Sequence, residues 1–289
     1  MKKFLTIVLA SFALMSFAQK TNNGSASNEP AVIKWIEDKP GPSFQQHRTF
    51  PTVPDDLWNQ LGFKDGIPSS ISCFLLKTEG KTILLDTGLG AGFSQLIPKL
   101  AEDNIKPEDL KLIYITHMHG DHIGGLLKDG KVVFPNAEVY INRIEAEAWK
   151  AMPGDRSAQA KKVLEAYKDH LHLFEAGDVL PGNVKSIAAY GHTPGHTAFQ
   201  KNDILVIGDL MHGAALQLNH PEYNASFDMD QKAAAESRAR LIKYARENKL
   251  TMYGMHLPSP GNVKLRKKKK KLKRKNYKVA NHAPISSKN

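Results

Sequence analysis

The run Thr116-His117-Met118-His119-Gly120-Asp121-His122 constrains this chain more than any other stretch. It puts three imidazoles and one carboxylate into six residues, directly after Leu112-Ile113-Tyr114-Ile115, which reads as a buried strand. Imidazole and carboxylate are ligands suited to Zn²⁺ and similar divalent ions. His117 and His119, two residues apart, face the same side of an extended segment. Asp121 and His122 then turn toward a second point. Gly120, Gly124 and Gly125 let a tight loop bring alternate side chains together. The competing reading is a solvated His-rich loop, which gives no reason for the run to sit at a strand end.

Composition narrows the choice. The chain has 289 residues, is 41% hydrophobic and 24% charged, and so is neither wholly disordered, collagen-like nor a coiled coil. Its single cysteine, Cys73, excludes an intramolecular disulfide and a thiolate-built zinc site. The net charge of +11 is concentrated: eleven Lys or Arg and no acid lie between Lys264 and Lys278. Without that segment, basic residues balance the 29 Asp and Glu. The basic character therefore belongs to a tail, and no nucleic acid is expected to bind the core.

The N-terminus reads as an address. Met1-Lys2-Lys3 is followed by an apolar stretch from Phe4 to Phe17, with small residues Ser16 and Ala18 before Gln19. That layout predicts a signal peptide, residues 1–18, cut after Ala18 and leaving a periplasmic or secreted protein. A transmembrane anchor is the alternative, but the stretch is shorter than the roughly 20 residues a span requires.

Residues 19–70 are expected to be an irregular lead-in, polar at first and then rich in Pro, Gly and aromatics. From Ser72 onward, strands and helices interleave. Strands are expected at 73–76, 82–85, 112–115, 138–141, 184–190, 197–201 and 204–208. Helices are expected at 93–102, 144–152, 157–170 and 230–248, the last capped by Asp228 or Asp230. One α/β domain over residues 71–263 is the simplest organisation, followed by a basic tail over 264–289.

The histidine run resembles the signature of the metallo-β-lactamase superfamily, His-x-His-x-Asp-His after a strand. Four further stretches match the family's motifs in order: Leu85-Asp86-Thr87-Gly88, Gly191-His192-Thr193-Pro194-Gly195-His196, Ile207-Gly208-Asp209 and Tyr253-Gly254-Met255-His256. The resemblance covers about residues 70–260 and implies a metallo-β-lactamase-like αββα sandwich. It further implies a two-metal site, with zinc the best fit and Fe, Mn or Co able to take its place. By the family's pattern His117, His119 and His192 hold one ion, Asp121, His122 and His256 the other, and Asp209 bridges them. Asp86 and His196 support the ligands from behind. A hydroxide shared between two metals is then the nucleophile, and no serine is required.

Asp209 disfavours the zinc β-lactamases, which resemble this chain but lack a carboxylate at that motif. The stretches Gly208-Asp209-Leu210-Met211-His212 and His256-Leu257-Pro258-Ser259-Pro260-Gly261 look like the branch of methyl parathion hydrolase and the N-acyl-homoserine lactonases. The implied substrate is a small ester, lactone or phosphotriester. The first expectation is a lactonase that silences quorum signalling, the second a phosphotriesterase-like or aryl esterase hydrolase, and the third a metal-binding protein without catalysis. His212 stands where many lactonases carry a Tyr and would bind the substrate carbonyl or protonate the leaving alkoxide; with Asp121 it forms the expected catalytic pair. Tyr223 is a second candidate for the missing phenol. The aromatic stretch 44–63 is expected either to wall the site or simply to pack in the core. A homodimer is compatible with the sequence. The tail is read as a solvated appendage, as a reading-frame artefact, or as a contact for anionic surfaces.

Overall fold

The computed structural model describes residues 30–265. The expected signal peptide, and the tail from residue 266, lie outside the described residues. No helix among the described residues is long and apolar enough to cross a membrane.

Two six-stranded sheets form the centre. The first runs in the order Val32–Glu37, Ser72–Thr78, Lys81–Leu85, Leu112–Tyr114, Glu138–Asn142, Leu171–Phe174. Its first three strands are antiparallel and the rest join in parallel. The second runs Val179–Leu180, Val184–Ala188, Thr197–Lys201, Ile204–Val206, Thr251–Tyr253, Asn262–Lys264. Only the Ile204–Val206 and Thr251–Tyr253 pair is parallel there.

Strand alternation explains how the layers stack. Successive side chains point to opposite faces. Cys73 and Leu75 face one way and pack under the helices Leu96–Glu102, Arg143–Ala151 and Ala158–Ala166, with Ile113, Val139, Leu100, Trp149 and Val163. Phe74 and Leu76 face the other way and meet Val184, Phe199 and Val206 of the second sheet. On the far side of that sheet Ala198, Leu205 and Met252 pack against Leu241, Ile242 and Ala245 of the helix Gln231–Glu247. The result is the expected αββα sandwich.

Several local expectations shift. The stretch before Ser72 is not simply a lead-in: Val32–Glu37 is the edge strand of the first sheet, in register Trp35 to Phe74. Its alternation was hidden in a Pro- and Gly-rich neighbourhood. Ser43–Gln45 pairs with Ile67–Ser69 in a small second hairpin-like sheet. The helix expected over 157–170 holds only over Ala158–Ala166, and a separate 3-10 turn follows at Lys168–His170. The strand expected over 204–208 stops at Val206. There Gly208 turns the chain at φ +51, and an added Cβ would collide with the ring of His196. Asp230 caps the long helix by accepting from the Ala233 amide at 3.0 Å, leaving Asp228 free for another role.

Candidate metal centre

Asp86 and the expected ligands stand in segments that follow strands of the sandwich. Asp86 follows the strand Lys81–Leu85, the histidine run follows Leu112–Tyr114, Asp209 follows Ile204–Val206, and His256 follows Thr251–Tyr253. His192 lies in the loop between Val184–Ala188 and Thr197–Lys201. Loops at strand ends can carry ligands because the sheets beneath hold them rigid.

The side chains converge as two overlapping groups. In the first, His119 Nδ1 lies 3.0 Å from His117 Nε2 and 2.9 Å from His192 Nε2. Asp209 Oδ2 is 3.7 Å from His117 Nε2 and 3.3 Å from His192 Nε2. In the second, His256 Nε2 is 3.4 Å from Asp121 Oδ2, and His122 Nε2 is 3.7 Å from Asp121 Oδ1. Asp209 joins them: Oδ2 is 3.0 Å from His256 Nε2, while Oδ1 is 3.2 Å from His122 Nε2. Each group keeps its ligand atoms within 4.8 Å of one another, the spacing a bound ion requires.

The ring nitrogens of His117, His122, His192 and His256 turned away from this centre are engaged. His122 Nδ1 donates to Asp86 Oδ2 at 2.7 Å, and His192 Nδ1 donates to Asp228 Oδ1 at 2.9 Å. His256 Nδ1 donates to the Ser70 carbonyl at 2.8 Å. Thr116 Oγ1 donates to Asp86 Oδ2 at 2.7 Å and accepts from His117 Nδ1 at 3.0 Å. A proton fixed on the outer nitrogen leaves the inner one as a lone pair aimed at the centre.

His196 is built differently. Its Nδ1 donates to the Ala189 carbonyl at 2.9 Å and its Nε2 accepts the Asp209 amide at 3.1 Å. Both nitrogens are spent, so His196 orients Asp209 and has no lone pair to offer an ion.

The donor set fits a divalent cation. His122 Nε2 and Asp209 Oδ1 are buried without any hydrogen-bond partner. A buried unpaired polar atom costs about 1–3 kcal/mol, and two of them facing each other at 3.2 Å invite a cation between them. Three imidazole nitrogens about 3 Å apart, beside a buried carboxylate, form a set that Zn²⁺ accepts readily.

Charge inside the cluster is divided among the protein's own groups. Burial disfavours a charged ring at His256, yet Asp209 and Asp121 outweigh it and push the group up to about 10. His122 and His192 are also pushed up against burial, the first by Asp209, Asp121 and Asp86, the second by Asp209 and Asp228. Burial and the neighbouring His192 drive His119 and His196 down to about 3. Asp209 is held well below the carboxylate range despite its burial, by His122, His256 and His117.

The cluster opens into a cavity of about 670 Å³. His212, 2% exposed, lines it and lies 3.1 Å from Asp209 through Nε2, while its Nδ1 has no partner. Tyr223 does not line the cavity; it packs beside the separate cluster of Phe50, Val53, Ile67 and Leu216. Of the aromatic residues in 44–63, only Phe44 lines the cavity. Phe50 is buried in that other cluster, and Trp58 stacks on His47 at 4.7 Å. The rest of the wall is mostly polar, with Gln45, Gln46, Ser69, Ser70, Lys39 and Arg156.

Two supporting residues escaped the sequence reading. Asp228 accepts from His192 and pairs through Oδ2 with the buried Arg238 at 2.9 Å. The available signal was Arg238 itself, a charge on the apolar stripe of Ala234, Leu241 and Ala245. Glu145, fully buried at the start of the Arg143–Ala151 helix, links the histidine run to the Thr193-Pro194-Gly195 turn. Nothing in its amphipathic helix distinguishes it beforehand.

Comparison with known proteins agrees with this geometry. The chain is 37% identical over 122 residues to exodeoxyribonuclease WalJ of Streptococcus pneumoniae, covering 41% of each chain. It is 30% identical over 147 residues to an N-acyl homoserine lactonase of Bacillus cereus, covering 43% of this chain and 55% of that one. The chain thus spans about half the length of the curated relatives it matches. Among solved structures, AidC, a dizinc quorum-quenching lactonase with a bound product, superposes with a TM-score of 0.72 at 25% identity, covering 82% of this chain and 95% of that one. The family model of the metallo-beta-lactamase superfamily matches residues 66–256, and the chain belongs to that superfamily.

Proposed function

We propose that this protein is a two-metal hydrolase that opens the lactone ring of N-acyl-homoserine lactones. The observation that carries the reading is the convergence of two ligand groups on Asp209, with Asp209 Oδ1 and His122 Nε2 buried and unpartnered. His117, His119 and His192 would hold one ion, and Asp121, His122 and His256 the other, with Asp209 between them. Zinc suits the donors, and the structurally similar AidC is a dizinc lactonase. Two such ions, when bound, bring water toward a pKa of about 7 and polarise a scissile carbonyl.

The chain's own groups supply the rest. Asp86, Asp228 and Ser70 hold the outer Nδ1 protons of His122, His192 and His256 and so aim their Nε2 atoms at the centre. His196 orients the Asp209 backbone. His212 lines the cavity, is held through Nε2 to Asp209, and its buried Nδ1 has no partner among the described residues. Burial holds the ring below the ordinary histidine range, so it starts neutral and can take the proton released by the attacking water and return it to the alkoxide that leaves when the ring carbon–oxygen bond breaks. Asp121, on the cavity wall, is more exposed than Asp209, the other carboxylate lining it. Purified protein loaded with zinc should acidify a weakly buffered solution of N-hexanoyl-homoserine lactone. Asp209→Ala and a chelated sample should not. A metal-loaded protein without turnover removes the lactone assignment.

A second reading has its own support. Lys39 and Arg156 line the cavity and have no carboxylate partner among the described residues. Their charge favours a phosphoester, and one relative is an exodeoxyribonuclease. Hydrolysis of a nitrophenyl phosphodiester or phosphotriester in preference to the lactone would establish this reading instead.

Export is part of the proposal. Residues 1–18 would be removed and the mature chain would begin at Gln19. N-terminal sequencing of the native protein tests it, and an intact Met1 end contradicts it.

A further inference from the structure

We propose that Glu145 is a positioning residue dedicated to the three-histidine group, and that the hydrogen bonds it accepts set the metal affinity of that group alone. The inference rests on the two-metal reading above. The Glu145 side chain accepts four hydrogen bonds. Oε1 takes the Met118 amide at 2.9 Å and the Trp149 indole Nε1–H at 2.6 Å. Oε2 takes the Thr193 hydroxyl at 2.8 Å and the Gly195 amide at 2.7 Å. No cation pairs with it among the described residues.

These contacts address one half of the site. Met118 lies between His117 and His119, so its amide sets the pitch of both ligands. Thr193 and Gly195 follow His192 in the facing loop. Trp149, itself 2% exposed, stands T-shaped to His119, with ring centroids 5.4 Å apart and planes at 85°. Gly195 has no side chain because a Cβ there would run into the Glu145 backbone, which keeps the two loops in contact. The other half has separate supports: His122 relies on Asp86, and His256 on Ser70. A buried carboxylate without a counter-ion is expensive to hold, and four oriented donors joining two ligand loops are what offset that cost here.

Glu145→Gln keeps the shape but replaces one acceptor oxygen with an NH₂ that cannot accept. Two of the four donors then face another donor. Loss of an outer hydrogen-bond partner weakens metal binding about 10–100-fold. The experiment is a zinc titration of metal-stripped full-length protein against a chromophoric chelator. Asp121→Asn, which alters only the other group, identifies which binding step is which. In Glu145→Gln the three-histidine step should weaken by that factor, while the other step stays within about twofold. Trp149→Phe and Thr193→Val each remove a single donor and should shift the same step by less. They carry the test if Glu145→Gln fails to fold. Equal weakening of both steps, or an unchanged three-histidine step in all three variants, overturns the inference. A parent protein that binds no zinc overturns the two-metal reading itself, a result recognisable before any variant is made.

Discussion

Asp228→Asn separates the supporting network from the ligands it supports. Asp228 is 5% exposed and satisfies three demands at once: Oδ1 takes the proton of His192 Nδ1, and Oδ2 takes Arg238 Nη2 at 2.9 Å and the Ala225 amide at 3.2 Å. Asparagine has one acceptor oxygen, so it can serve either His192 or Arg238. If the oxygen stays with His192, the buried guanidinium loses its only carboxylate among the described residues. Removing one partner of a buried ion pair costs about 3–5 kcal/mol. Arg238 keeps its bonds to the carbonyls of Leu210, Pro221 and Tyr223 and to Asn224 Oδ1, which argues for the lower part of that range. The loss of one charge-assisted hydrogen bond, about 1.5–3 kcal/mol, is the better figure. At roughly 2–4 °C per kcal/mol for a domain near this size, the melting temperature should fall by about 3–12 °C. If the oxygen turns instead to Arg238, stability recovers and His192 loses its tautomer control, so zinc affinity falls about 10–100-fold. Urea unfolding of the metal-free protein and a zinc titration together read both branches. A variant that matches the parent within about 0.5 kcal/mol and twofold in affinity refutes the reasoning.

Four further outcomes follow from the same geometry. His192→Ala should lower bound zinc from two equivalents to one, whereas His196→Ala should keep both and lose turnover through a misplaced Asp209; metal analysis after gel filtration separates them. Zinc affinity should rise with pH across the neutral range, because His122, His192 and His256 are all pushed up and hold protons that the metal must displace. Competition titrations at pH 6, 7 and 8 check the sign, and a flat profile contradicts it. Gly208→Ala should destabilise the protein and reduce turnover, since the position holds φ +51 and the new methyl meets the His196 ring and Thr116; thermal melts read the effect. Phe199→Ala, at 1% exposure between the two sheets, should cost about 3–5 kcal/mol in urea unfolding without changing metal stoichiometry.

Much of the fold could be read from apolar runs because the sandwich buries its sheets on both faces. Segments such as Leu112–Tyr114 and Ile204–Val206 are continuous hydrophobic stretches for that reason. The edge strand Val32–Glu37 was harder, since only one side has a partner strand and its flanks carry proline and glycine. The residues that converge in the cluster were legible because each stands in a short motif near a strand end. Their supports were not. Asp228 lies next to a helix start and looks like a cap, and Glu145 is one of two glutamates in an ordinary helix. What makes them matter is contact across 36 residues to His192 and across 48 to Thr193, which no local pattern encodes. Of the two readings of the aromatics in 44–63, core packing holds for Phe50 and the wall for Phe44 alone, because periodicity shows that a ring is buried, not which cluster buries it. Phe50 joined Leu216 and Ala225, and the cavity received Gln45, Gln46 and Phe44.

The central claim is that Asp209 stands between two metal ions that together open a lactone. Metal-stripped protein titrated with zinc while N-hexanoyl-homoserine lactone turnover is followed tests it most directly. The account predicts two equivalents bound, turnover that appears as the second site fills, and loss of both the second equivalent and the turnover in Asp209→Ala. Full turnover with a single equivalent, or an Asp209→Ala protein that binds two ions and remains active, would contradict it.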